Sequence, residues 1–296
     1  MSSSFTGRLR PWLIASRPRT LPAAVAPVIV GAALAIEDAA FRPVAALAAL
    51  IAALLIQIGS NFANDLGDYY RGADGRGRVG PTRVTSAGLL TPRQVQMGIV
   101  VVFALAALCG LYLIRLGGWP ILLAGALSLV AAVAYTAGPL PFGYYGLGDL
   151  AVFIFFGLVA VVGTYYVQAL RVTPLVFVAA APVGALITAI LVVNNIRDAD
   201  SDRATGKRTL AVLLGRRGAR IEFILLLAVA YVAPFVLWLG MGMEPWALLP
   251  LLTLPLAGRL IRAILTVLGP ALNHALAGAA QLAVLYALCL AVGLIL

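Results

Sequence analysis

The chain has 296 residues, of which 62% are hydrophobic and only 11% charged, with a mean hydropathy of +1.03. A soluble domain of this size covers its surface with polar groups, and this composition excludes one. The formal net charge of +10 is assigned to membrane topology and to a basic rim facing anionic lipid or an anionic substrate, not to nucleic acid.

Read in chain order, the hydrophobic runs predict an all-α, polytopic membrane protein. Its spans lie at about 20–37, 43–64, 94–114, 118–137, 149–170, 173–195, 221–240, 245–265 and 273–296. Uncharged stretches at 116–148 and 263–296 each exceed the roughly 20 residues that cross a bilayer. Residues 8–35 also have the basic-then-apolar pattern of a signal peptide. Their close coupling to the next helix favours a first span. No low-complexity tail or long linker divides the chain, so 1–296 is read as a single domain. All but three of the 21 Lys+Arg fall on the side holding the N-terminus, the exceptions being Arg42, Arg115 and Arg171. The positive-inside rule then predicts a multi-pass protein of the cell (inner) membrane, with its N-terminus and acid-rich loops cytoplasmic and its C-terminus opposite. Cys109 and Cys289 fall mid-span and are expected to be buried, inert thiols without a disulfide framework.

The acids are concentrated. More than half of the 11 Asp+Glu lie in two clusters, Asp65, Asp68 and Asp74, then Asp198, Asp200 and Asp202. In NFANDLGDYYRGAD (61–74), residues Asn61, Asn64, Asp65 and Asp68 share one helical face. In NNIRDADSDRATGKR (194–208), Asn195, Asp198 and Asp202 do the same, while Asp200 lies off that face and is read as a solvated acid. Asn64 and Asp68 recur as Asn194 and Asp198 at the same spacing, with four spans between. The match makes a weak parallel internal repeat, helices 1–4 and 5–8 plus helix 9, in contrast to the inverted repeats of many transporters.

Carboxylates at a helix C-terminus oppose the macrodipole, and several together at membrane depth repel one another. A divalent cation relieves both problems. Asp and Asn oxygens with no His or Cys nearby point to a hard ion, with Mg²⁺ favoured. The alternative is ordinary polar residues at the headgroup level. Arg71, Arg76, Arg78, Arg83, Lys207 and Arg208 surround the acids. Carboxylates with cations alongside suit a diphosphate bridged by Mg²⁺. A loop arginine is otherwise a topology determinant, and Arg71 and Lys207 stand out by their closeness to the acids.

At these residues the chain resembles the UbiA-type intramembrane prenyltransferases. The matching stretches are SRPRTLPAAVAPVIVGAAL (16–34), NFANDLGDYYRGAD, PTRVTSAGLLTPRQV (81–95), YTAGPLPFGYYGLGD (135–149) and NNIRDADSDRATGKRTLAVLLG (194–215). The resemblance is greatest to the menaquinone-pathway members. It implies about nine helices around a central cavity, and transfer of a polyprenyl group from its diphosphate to a dihydroxynaphthoate ring with loss of CO₂.

It also implies a metal set of Asn64, Asp65, Asp68, Asp74, Asp198 and Asp202. Asp74 comes later than the general family pattern has it. Asp68, Asp198, Asp202 and Lys207 are the implied catalytic groups. Asn64, Arg71, Arg83, Arg19 and Tyr135 are candidates for binding substrate, Arg19 for the acceptor carboxylate or for topology alone. Tyr135, Tyr144 and Tyr145 are candidates to flank the cation or ring, or to act as belt anchors. His274 has a bland helix-start position. The expected partners are a polyprenyl diphosphate, the naphthoate acceptor and membrane lipid. Prenyl chain length and oligomeric state leave no signature in the sequence. Two other readings stay open here: a sister enzyme with another acceptor such as 4-hydroxybenzoate, and a cation-coupled secondary transporter.

Overall fold

The computed structural model describes residues 3–72, 80–138 and 141–296, so the expectation for Asp74 lies outside the described residues. Among the described residues, ten helices carry the fold. They are α1 (Ser3–Ser16), α2 (Pro22–Glu37), α3 (Pro43–Tyr70), α4 (Pro92–Gly117) and α5 (Trp119–Ala134), then α6 (Gly148–Ala169), α7 (Pro174–Ala204), α8 (Gly215–Gly240), α9 (Pro245–Thr266) and α10 (Gly269–Ile295). Each of the nine expected spans falls on one of α2–α10.

Among the described residues, seven helices, α3, α4 and α6–α10, are long and apolar enough to cross a bilayer. Residues 9–20 with α2 make an eighth, bent by 52°. The bend follows from Arg17, which adopts a left-handed conformation (φ 49°) immediately before Pro18. α5 is apolar but only 16 residues long. This is a multi-pass membrane protein.

The helix ends differ from expectation where it matters most. α3 has 28 residues and α7 has 31. At a rise of about 1.5 Å per residue these are roughly 42 and 46 Å long, against about 30 Å of hydrocarbon. Each therefore projects beyond the bilayer core, and the projecting turns carry the Asn and Asp residues. The expected spans end at Asn64 and Asn195, but the backbone stays helical to Tyr70 and Ala204 because the polar side chains there find tertiary partners instead of turning back as caps. α3 stops at Gly72, whose φ of 65° is the usual helix-ending conformation. α4 starts with a Thr91–Gln94 capping box that ends the loop after α3.

α7 is the axis of the molecule. In its apolar window 72% is buried, against 17% for α3 and 11% for α4. It packs on α2, α6, α8 and α10. α6 contains a π-helical segment, Phe153–Val159, and there Gly157 lies directly against Gly184 of α7. A Cβ on Gly157 would stand 2.6 Å from the Gly184 Cα, so the two backbones touch, as small residues allow between membrane helices. Helices α2–α6 leave an apolar cavity of about 390 Å³ between them. Cys109 and Cys289 are free and half-buried, less enclosed than expected because both lie on helices with a lipid-facing side. His274 is exposed at the start of α10.

Candidate active site

The polar face of α3 divides into separate jobs. Asn61 donates through Nδ2 to the Ser16 carbonyl (2.9 Å) and to Thr20 Oγ1 (3.0 Å), and Gln57 donates to the same Thr20 hydroxyl at 3.2 Å. These bonds pin the break between α1 and α2. One turn on, Asp65 is 1% exposed and faces the loop that precedes α4. Its carboxylate accepts from the Val84 and Thr85 amides, each at 3.0 Å, and from the Thr85 hydroxyl at 2.5 Å. Asp68 is 2% exposed; one oxygen pairs with Nη2 of Arg83 and the other accepts from the Tyr144 hydroxyl at 2.7 Å. Asn64 Oδ1 accepts from Thr136 Oγ1 at 3.0 Å.

The segment after α5 is drawn tightly onto this face. Gly67 permits it, because a Cβ there would meet Thr136 Oγ1 at 2.8 Å and the Thr136 carbonyl oxygen at 3.0 Å. Arg71 then donates to the carbonyls of Thr136 (3.1 Å) and Gly138 (2.7 Å). Its guanidinium lies 5.2 Å from the centre of the Tyr144 ring, and Lys207 Nζ lies at the same distance from that ring. Burial, then the neighbouring Asp68 carboxylate, push the Tyr144 hydroxyl well above its ordinary pKa, so it remains a protonated donor.

The second motif arrives on α7. Arg197 holds Asp198 in a fork, Nε to Oδ1 at 2.7 Å and Nη2 to Oδ2 at 2.6 Å. It also donates to Asn194 Oδ1 (2.7 Å) and to Asn273 Oδ1 of α10 (2.8 Å). Lys207 Nζ stands 3.9 Å from Asp202. Asp200 pairs with Arg216 at the surface, the solvated position expected of it. Asp149, at the start of α6, is buried and accepts from Asn195 at 3.4 Å.

The two motifs share one space. Tyr144 connects Asp68 to Lys207 and through it to Asp202. Tyr135 packs edge-to-face on Phe142 at 5.5 Å, and both rings line the apolar cavity. An apolar chamber thus lies on the Tyr135–Phe142 side of the polar cluster. Arg19 is exposed at the α1–α2 break.

Among the described residues no cluster of three His, Cys, Asp or Glu is already gathered as a metal site. The oxygen-only chemistry of Asn64, Asp68, Asp198 and Asp202 nonetheless fits a hard cation. Both oxygens of Asp65 accept from loop donors, which ties α3 to the loop before α4. Sequence reasoning missed Thr136, Thr85, Asn273 and the part played by Arg197. Only Arg197 carried a signal, an arginine at the polar end of a long apolar run and adjacent to an acid.

The UbiA prenyltransferase family model matches residues 24–271. The chain is 39% identical over 276 residues to 1,4-dihydroxy-2-naphthoate octaprenyltransferase of Escherichia coli (strain K12), covering 91% of this chain and 90% of that one. It is 45% identical over 248 residues to the protein of the same name from Mycobacterium tuberculosis, covering 84% of each. Among solved structures, a UbiA homolog from Aeropyrum pernix K1 superposes with a TM-score of 0.73 at 16% identity, over 91% of this chain and 97% of that one. A UbiA homolog from Archaeoglobus fulgidus bound to DMAPP and Mg²⁺ gives 0.69 at 16% identity, over 96% and 98%. At that identity the likeness is one of fold.

Proposed function

The chain belongs to the UbiA prenyltransferase family and is a prenyltransferase, and from that premise we propose that it moves a polyprenyl group from its diphosphate to 1,4-dihydroxy-2-naphthoate, with loss of the acceptor carboxylate as CO₂, in menaquinone biosynthesis. The relatives that carry the naphthoate name support this acceptor at 39% and 45% identity. The structural observation that carries the reading is Tyr144, which links the Asp68 motif to the Lys207–Asp202 pair beside an apolar cavity.

Asn64, Asp68, Asp198 and Asp202 are the residues that would hold Mg²⁺, which when bound supplies positive charge against the diphosphate and makes it a better leaving group. Asp65 is assigned to anchoring the loop, and Asp74, implied by family resemblance, completes the first motif. Lys207 and Arg71 flank Tyr144 and present cations to the phosphate oxygens, with Arg83 beside them. Both cations pack against the Tyr144 ring, which places them beside the Asp68 and Asp202 carboxylates. The apolar cavity takes the prenyl tail and keeps water from the allylic cation that develops at C1. Tyr135, where cavity and polar end meet, faces that carbon and the electron-rich ring that attacks it. Arg19 receives the acceptor carboxylate.

The surplus of Lys and Arg on the N-terminal side supports an inner-membrane orientation with both motifs cytoplasmic and the C-terminus opposite. The parallel repeat of the two motifs within one domain agrees with that orientation, since it brings both to the same face.

The test incubates membranes with a labelled polyprenyl diphosphate and each candidate acceptor, and weighs the product. A prenylated, decarboxylated naphthoate is expected, and Asp68→Ala and Asp198→Ala are each expected to abolish it while the protein still inserts. Transfer only to another acceptor such as 4-hydroxybenzoate overturns the acceptor. Activity above roughly a tenth of the parent in both variants overturns the assignment of these carboxylates to the diphosphate site.

A further inference from the structure

A buried carboxylate near the membrane is held by neutral donors, as Asp65 and Asp149 are, or by a positive partner, and in this protein one acid of each motif has the latter. Asp198 is gripped by Arg197, whose side chain is 1% exposed and whose fork reaches both carboxylate oxygens. Asp68 is paired with Arg83, and its second oxygen is taken by Tyr144. The two arginines arrive by unrelated routes, one from the adjacent residue in α7 and one from a loop 15 residues further along the chain. The sequence repeat of the motifs does not account for that agreement, because neither arginine is part of it.

We propose that Arg197 and Arg83 are positioning residues that stand in for the metal, so that a divalent cation enters the site only together with a diphosphate. This deepens the reading given above and rests on it. A cation arriving alone has to share Asp198 and Asp68 with two fixed guanidinium charges and is repelled by them. A diphosphate reverses the balance, because its oxygens accept from the same guanidiniums while the carboxylates turn to the metal. Arg197 is suited to such an exchange. Its other bonds, to Asn194 Oδ1 and to Asn273 Oδ1 of α10, hold the guanidinium in place while the Asp198 carboxylate changes partner. Arginine also keeps its charge at any physiological pH, so the device answers to ligand and not to acidity.

The test is binding of Mn²⁺ to the full chain in detergent or nanodiscs, followed by electron paramagnetic resonance with and without inorganic pyrophosphate. In the parent, pyrophosphate is expected to tighten Mn²⁺ binding by roughly tenfold or more. Arg197→Gln is expected to bind Mn²⁺ alone roughly tenfold more tightly than the parent, with the pyrophosphate effect reduced, and Arg197→Lys to restore the coupling in part. A purely structural arginine would instead leave Mn²⁺ affinity unchanged or weaken it. Coupling under about tenfold in the parent overturns the proposal, even if Arg197→Gln fails to fold. Equal or weaker Mn²⁺ binding by a folded Arg197→Gln protein overturns it as well. Failure of Mn²⁺ to bind under either condition sinks the metal–diphosphate reading itself, a result distinct from bound but uncoupled Mn²⁺.

Discussion

Asp65→Ala is the substitution that best separates an anchor from a ligand. The Asp65 carboxylate accepts from two backbone amides of the preceding loop to α4 at 3.0 Å, and from the Thr85 hydroxyl. Hydrogen bonds to a charged group contribute about 1.5–3 kcal/mol each. Losing the two amide bonds therefore costs on the order of 3–6 kcal/mol locally, because Val84 and Thr85 are buried and water replaces the carboxylate poorly. That corresponds to roughly 10²–10⁴ in the opening equilibrium of the loop. Arg83 immediately precedes Val84, so the counter-charge of Asp68 loosens with it. The assay is amide hydrogen exchange read by mass spectrometry on metal-free protein, comparing the peptide over residues 83–86 between parent and variant. An anchor predicts faster exchange there by at least about a hundredfold, with α7 and α10 unaffected. A residue that only binds metal predicts no change when metal is absent. Acceleration below about threefold refutes the anchoring role.

Other sites yield independent checks. Tyr144→Phe keeps the ring against Arg71 and Lys207 and removes only the bond to Asp68, so kcat/KM is expected to fall roughly ten- to a hundredfold; a value within about twofold of the parent contradicts the bridging role. Gly157→Ala sets a Cβ 2.6 Å from the Gly184 Cα, where neither backbone can yield cheaply, and is expected to cost about 1–3 kcal/mol, seen as a lower Tm; an unchanged Tm refutes the close contact. On the opposite membrane face, hydrogen bonds from Arg171 and then Tyr165 hold the Asp38 carboxyl below its ordinary 3.8. A carboxyl lowered by folding stabilises above its unfolded pKa and loses that contribution as pH falls through the lower folded value. Asp38→Asn is thus expected to lower Tm at about pH 7, with the gap to the parent narrowing as pH falls below about 4, and a gap that does not shrink on acidification excludes the linkage.

Sequence alone settled the class of this protein, because hydrophobic length and the scarcity of charge leave few places to put the chain. The nine apolar segments, the two Asp motifs and their family likeness were legible for the same reason, being local in the chain. What each motif residue does was not legible. Asn61, Asn64, Asp65 and Asp68 share one helical face, and periodicity treats them alike. In the folded protein Asn61 secures the α1–α2 break, Asp65 a loop, Asn64 the segment after α5, and Asp68 an arginine and a tyrosine. Helical spacing sets the direction in which a side chain leaves its own helix. What waits there is decided by other helices and loops far along the chain, and only tertiary packing brings those partners in.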